Sequence, residues 1–146
     1  MANVYRSAVI DAPADKVWAL VRDFNGLPKW HPAIGKSEIE GGLPGDRVGC
    51  VRRFTLKEDG GLLREKLLTL SDSARELTYN ILVSPMPVAN YMAGMRFTPI
   101  TMGGGTFAEW WAVFDVTSGP PQVTADDIGD NVFVVGFAAI GKLLAR

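Results

Sequence analysis

Apolar and β-branched positions dominate residues 4–11, which predicts an opening strand. Pro13 then stands where a helix accepts it, in a first turn, and Asp15 adds a charge that the helix dipole favours there. Val17, Leu20, Val21 and Phe24 recur at helical spacing, so residues 13–23 predict an amphipathic helix. Gly26 and Pro28 stop it, and residues 27–32 predict a second helical turn or structured loop. Turn signals then recur at the spacing of an antiparallel meander: Gly41-Gly42-Leu43-Pro44-Gly45-Asp46, Asp59-Gly60-Gly61, Asp72-Ser73, Pro85-Met86-Pro87 and Gly103-Gly104-Gly105. They divide the chain into six strands near 34–40, 48–57, 62–70, 76–84, 88–99 and 105–116. The Gly/Pro/Gln stretch 118–122 predicts a loop. Thr124 and Asp127 then form a capping pair for a final helix over roughly 126–145.

The order is strand, two helices, six strands, long helix. That order defines an α+β chain with about seven strands in a curved antiparallel sheet. Such a sheet must bury one face against the final helix, and its twist bends it into a cradle. A cradle gripping one helix leaves a gap that side chains fill only partly, which is the expected pocket.

Strand alternation sorts side chains by face. Cys50, Phe54 and Leu56 share an apolar side with Arg52, while Arg53, Thr55 and Lys57 point the other way. On the next strand Leu63 and Leu67 flank Glu65, with Arg64 and Lys66 opposite. An even-length hairpin loop at Asp59-Gly60 brings Arg52 and Glu65 onto one face. Leu77, Tyr79, Ile81 and Val83 extend that face, followed by Tyr91, Ala93, Met95 and Phe97, and then by Ala108, Trp110, Ala112 and Phe114. Glu109, Trp111 and Asp115 point outward. An arginine, a glutamate and two tyrosines therefore share an apolar concave surface. They form either an ion pair that satisfies itself within a core or groups directed at a ligand.

Several segments resemble the START/polyketide-cyclase (SRPBCC) superfamily, in particular its polyketide cyclase/dehydrase-like branch, which includes plant lachrymatory-factor synthase. The resemblance rests on Trp30-His31-Pro32, Gly49-Cys50-Val51-Arg52, Arg64-Glu65-Lys66-Leu67-Leu68, Leu77-Thr78-Tyr79-Asn80-Ile81, Pro87-Val88-Ala89-Asn90-Tyr91 and residues 106–114 with Trp110. None of these is specific alone; the order and spacing carry the match over nearly the whole chain. The resemblance implies a helix-grip fold. It also implies a pocket lined by Arg52, Glu65, Tyr79 and Tyr91, with the arginine and glutamate in proton transfer. Fold and pocket in this superfamily host carriers, cyclases, dehydratases and receptors, so no single reaction follows.

Composition narrows the remaining possibilities. Fifteen basic and sixteen acidic residues are interspersed, for a formal net charge of −1, and no basic stripe invites nucleic acid or an anionic membrane. Cys50 is the one cysteine, so neither an internal disulfide nor a Cys-x-x-Cys metal site exists, and it is expected to be buried beside Arg52. No segment reads as a secretory signal or a membrane span, which makes a cytoplasmic protein the expectation. No repeat or linker divides residues 1–146, so one domain is expected. His31, the one histidine, is expected near the pocket mouth and reads more readily as incidental than catalytic. No Gly-x-Ser-x-Gly elbow occurs, and Gly103-Gly104-Gly105 joins strands rather than cradling a phosphate. Met86, Met92, Met95 and Met102 read as packing.

The expectation is a binder of a small hydrophobic, lipid- or polyketide-like molecule, acting as carrier or sensor. The alternative is a proton-transfer enzyme of cyclase, dehydratase or isomerase type. Arg52, Glu65 and Tyr79 are the candidate catalytic groups, and Trp30, Phe54, Tyr79, Tyr91, Met95 and Trp110 the candidate ligand contacts. No metal or cofactor is expected. A homodimer is expected because Phe107, Trp111 and Val113 face outward. Phe133, Phe137 and Ile140 would enlarge that patch from the uncharged run 132–141, unless the N-terminal helix and the loop before Thr124 cover them.

Overall fold

The computed structural model describes residues 1–145. Strand β1 (Ala2–Ile10) leads into helix α1 (Ala14–Val21) and a 3₁₀ segment, Phe24–Lys29. Six strands follow: β2 (Ile34–Ile39), β3 (Val51–Leu56), β4 (Leu62–Ser71), β5 (Glu76–Val83), β6 (Val88–Pro99) and β7 (Thr106–Val116). The chain then forms a C-terminal helix in three parts: α2 (Pro121–Asp127), a π-helical segment (Ile128–Val134) and α3 (Val135–Leu144). The seven strands make one antiparallel sheet in the order β1-β7-β6-β5-β4-β3-β2. This curved sheet with its long C-terminal helix is the helix-grip architecture expected from the element order. No helix among the described residues is long and apolar enough to cross a membrane.

The concave face follows the two-residue period closely. Phe54, Leu63, Leu67, Leu77, Tyr79, Ala93, Met95, Phe97, Ala108, Trp110, Ala112 and Phe114 are all buried. From the helix, Phe133 stacks on Trp110 with ring centroids 4.4 Å apart, and Phe137 meets the same indole at 5.9 Å. Burying a side chain such as Phe133 stabilises the fold by about 1.5–3 kcal/mol, and the offset stack adds about 0.5–1.5 kcal/mol. Gly136 permits this approach. A Cβ there would come within 2.9 Å of Trp110 and 3.1 Å of His31 and Trp30.

Four expectations are corrected. β3 starts at Val51 rather than near residue 48, because Gly49 adopts a left-handed φ of +95° that breaks the regular ladder, although Gly49 and Cys50 still bond to Leu67. The final helix starts at Pro121, inside the stretch expected to be a loop, and Thr124 lies within it. Proline fits a first helical position because its fixed φ suits the turn and its missing N–H would be unpaired there anyway. Val83 leaves the concave face and is exposed. The register shifts from Arg64↔Val83 to Glu65↔Ile81, which inserts Leu82 as a bulge and reverses the alternation beyond it. Finally, Phe133, Phe137 and Ile140 are covered within the chain and add nothing to an outer patch. The helix turns Asp130, Asn131, Val134, Ala138 and Lys142 outward instead. Trp111 does face out, half-buried, against Gly94 and under the Arg96 guanidinium.

Candidate functional site

The site begins with the β3–β4 hairpin. Leu56 and Gly61 close a four-residue loop through the Leu56 N–H bond to the Gly61 carbonyl, and Gly60 takes the left-handed φ the turn needs. This even loop sets Arg52 directly opposite Glu65 on the concave face. Directly opposed residues have Cβ atoms about 4.5–5.5 Å apart, so the arginine folds over onto its neighbour. Arg52 Nε donates to Glu65 Oε1 at 2.8 Å, and Nη2 reaches the same oxygen at 2.6 Å. Nη1 donates to the Phe24 carbonyl at 3.0 Å, and the guanidinium lies 3.7 Å from the centre of the Phe24 ring. The 3₁₀ segment therefore supplies both an acceptor and a π face to one cation. Phe54 and Tyr79 rings lie further round it, at 5.7 and 5.1 Å.

Both side chains of the pair are nearly closed to solvent, at 7% and 6% exposure. Burial raises the Glu65 carboxyl above its ordinary value, and the Arg52 charge and hydrogen bonds offset part of that rise. All of the arginine's bonds to Glu65 go to Oε1. Oε2 has no hydrogen-bond partner among the described residues, yet it is not sealed away, and Glu65 lines a cavity.

That cavity, about 500 Å³, lies between the concave sheet and the π-helical segment. Leu27, Ile34, Phe54, Leu63, Ile81 and Ile128 give it apolar walls, and Arg52, Glu65, Tyr79, Tyr91 and His31 add polar groups. Tyr79 OH accepts a 3.1 Å bond from Trp110 Nε1, which fixes the ring and leaves the phenol proton free to donate. Tyr91 OH has no hydrogen-bond partner among the described residues. Burial pushes both phenols upward, so both are neutral donors at physiological pH. Tyr91 reaches the cavity through a bulge: Asn90 adopts a left-handed φ of +52°, held by its side-chain bond to Asp115 at 2.8 Å.

His31 is buried rather than set at an open mouth. Its Nδ1 accepts the Ala33 N–H at 3.2 Å, so Nε2 carries the proton and donates to the Val132 carbonyl at 2.9 Å. Burial lowers its pKa, and the ring is a neutral clamp between the loop and the π-helical segment. Cys50 is fully buried beside this strand and its thiol is pushed up by burial, which argues against a thiolate.

Of the expected site residues, Arg52, Phe54, Glu65, Tyr79, Tyr91 and Trp110 line the cavity together. Trp30 and Met95 are buried but stand outside its lining. Trp30 packs behind His31 and Trp110, and Met95 sits beside Trp110 in the sheet register. The sequence reading missed the carbonyl of Phe24 and the rim formed by Glu58, Met86, Asp127 and Asn131. Rim residues come from two loops and a helix, and no periodicity links them. A depression of similar volume, about 550 Å³, opens where β5 and β6 part beyond Asn80↔Met92, but Tyr91 is its one ionisable group. Among the described residues no cluster of His, Cys, Asp and Glu is placed to hold a metal ion.

A sheet gripping a helix over an internal cavity with one buried polar centre defines the helix-grip class of proteins. Residues 1–137 match the family described as polyketide cyclase / dehydrase and lipid transport, and the chain belongs to that family. It is 30% identical over 114 residues to the abscisic acid receptor PYL7 of Arabidopsis thaliana, a match covering 75% of this chain and 53% of the receptor. The chain therefore spans about half the length of that curated relative. The structure of XoxI from Bacillus cereus superposes with a TM-score of 0.87 at 27% identity, covering 99% of this chain and 96% of that one. Ara h 8.0201 shares the fold with a TM-score of 0.75 at 17% identity, over 97% and 96% of the two chains.

Proposed function

We propose that this protein binds one small hydrophobic molecule between the sheet and the π-helical segment, as a carrier or sensor. The observation that carries the reading is the cavity of about 500 Å³, apolar on most sides, with unpaired polar atoms gathered around Glu65. A space that size suits a molecule of one to four fused rings or a short chain. The lipid-transport members of the family and the receptor name of the plant relative support a ligand-binding role. Titration with a neutral environment-sensitive dye such as Nile red tests it. Saturable one-to-one binding is expected, and Ile81→Trp, which fills the cavity from its lining, should abolish it while the melting curve stays cooperative. Binding that never saturates, or that a folded Ile81→Trp retains, would remove the reading.

A second reading is favoured by one specific observation. Glu65 combines a raised pKa with an oxygen open to the cavity, which is the requirement for a general acid or base. Arg52 and the phenols would then steady an oxygen on which negative charge develops. Glu65→Gln would abolish turnover outright while weakening ligand binding only by one hydrogen bond.

Self-association is a further part of the proposal. Tyr5, Phe107 and Trp111 lie on the outer face of β1 and β7, with Tyr5 and Phe107 exposed. A monomer by sedimentation at micromolar concentration, unchanged by Trp111→Glu, would sink it.

A further inference from the structure

Resting on the ligand-binding reading above, we infer that the cavity selects a neutral molecule bearing a hydroxyl group, an alcohol or phenol, and rejects carboxylic acids. The charges lining the cavity carry the inference. One arginine faces three carboxylates there, Glu58, Glu65 and Asp127, and no lysine is present. Arg52 offers an anion little: Glu65 already neutralises its charge, three of its five N–H groups point to Glu65 and the Phe24 carbonyl, and a ring covers one face. His31 is neutral because its two ring nitrogens are spoken for by Ala33 and Val132. A ligand carboxylate would thus give up its hydration, meet no free cation and lie near the Glu65 charge.

A hydroxyl fits the same atoms. Glu65 Oε2 is an acceptor without a donor, and ionised carboxylates only accept. Tyr79 keeps a free phenol proton, and Tyr91 has both a proton and lone pairs unused. One ligand O–H can donate to Oε2 while its oxygen accepts from a tyrosine, so a single group satisfies both kinds of vacancy. An ether or ketone would answer the tyrosines alone and leave Oε2 unpaired.

The test is a matched series on one scaffold, measured at pH 7 by displacement of Nile red: 2-naphthol, 2-methoxynaphthalene, 2-methylnaphthalene and 2-naphthoate. A hydrogen bond to a charged acceptor is worth about 1.5–3 kcal/mol, so 2-naphthol should bind at least about tenfold more tightly than the methoxy compound. The naphthoate should bind more weakly than the methyl compound. In Glu65→Gln, confirmed folded by its melting curve, the preference for hydroxyl over methoxy should collapse, since the amide can turn a donor to the cavity. Asp127→Asn should recover several-fold of the naphthoate affinity. A naphthoate that binds as well as the naphthol overturns the inference and leaves the binding proposal standing. So does a methoxy compound that matches the naphthol in the unaltered protein, because Oε2 would then need no donor. Failure of every compound, with no saturable dye binding, overturns the binding proposal itself.

Discussion

Adjacent residues of β4 build two arginine–glutamate pairs with opposite outcomes. Glu65 faces the cavity and meets Arg52; Arg64 faces outward and meets Glu40 with two bonds of 2.7 and 2.8 Å. The inner pair is closed to water at 7% and 6% exposure, whereas the outer pair stands at 35% and 32%. Outside, attraction wins: the Arg64 bonds hold the Glu40 carboxyl below its ordinary value. Inside, desolvation wins, and Glu65 sits above its ordinary value despite an equally close partner. The same two side-chain types, one residue apart, become a surface clasp and a buried pair on a cavity wall. Environment, rather than residue identity, makes the difference.

The strongest way to break this comparison is to remove the inner arginine. Arg52→Ala strands the Glu65 charge and the Phe24 carbonyl in a space with no other cation. Breaking a buried pair on one side costs about 3–5 kcal/mol, a large share of a typical domain's stability. Replacing both partners, as Arg52→Met with Glu65→Leu, should recover most of that loss, because no charge is left to desolvate. Urea unfolding of the three proteins checks this. If the double variant is as unstable as the single one, the pair holds the fold by more than its own neutralisation, and its availability to a ligand is in doubt.

How much of this was legible beforehand depended on range. Arg52 and Glu65 could be set on one face from alternation and the parity of one short loop, because both rules act within about a dozen residues. Tyr79, Tyr91, Phe54 and Trp110 followed from the same period. The rule failed at Val83, where the bulged Leu82 resets the alternation, and no residue type announces that bulge. The π-helical segment was invisible for a related reason: its apolar pattern resembles that of an ordinary helix. Its carbonyl contact with His31 joins residues 101 apart in sequence. Met95 was placed on the apolar face by alternation and is buried there, and Trp30, expected as a ligand contact, is buried too, but whether a buried residue borders a void depends on how its neighbours fill space.

Titration offers a second, smaller test. Glu65, raised in the folded state, gives stability that is fully present below its ordinary value of 4.5 and is lost as pH rises through the folded value. Glu40, lowered in the folded state, acts in the opposite sense. Its contribution is present above 4.5 and is lost as pH falls through the folded value. Carboxyl carbon-13 shifts followed by NMR should therefore show two glutamates departing from 4.5 in opposite directions. Glu65→Gln should also flatten stability against pH above 4.5 while leaving the acid limb unchanged. A Glu65 that titrates below 4.5 would mean that Arg52 outweighs burial, and the proton-transfer reading would lose its basis.

The smallest effect should come from the outer pair. Arg64→Ala removes two well-formed bonds, yet both partners stay in contact with water, which rehydrates Glu40 as the arginine leaves. The unfolding midpoint should hardly move at neutral pH. What small loss there is should shrink further in high salt, because exposed charges are screened within about 8–10 Å at moderate ionic strength. The Glu40 carboxyl should rise toward its ordinary value in the variant, which would show that the clasp had formed even where its removal costs little stability. Since Arg64 points away from the cavity, dye binding should stay unchanged. A loss of binding in a folded Arg64→Ala would show that the two faces of β4 are coupled, and the contrast between them would have to be given up.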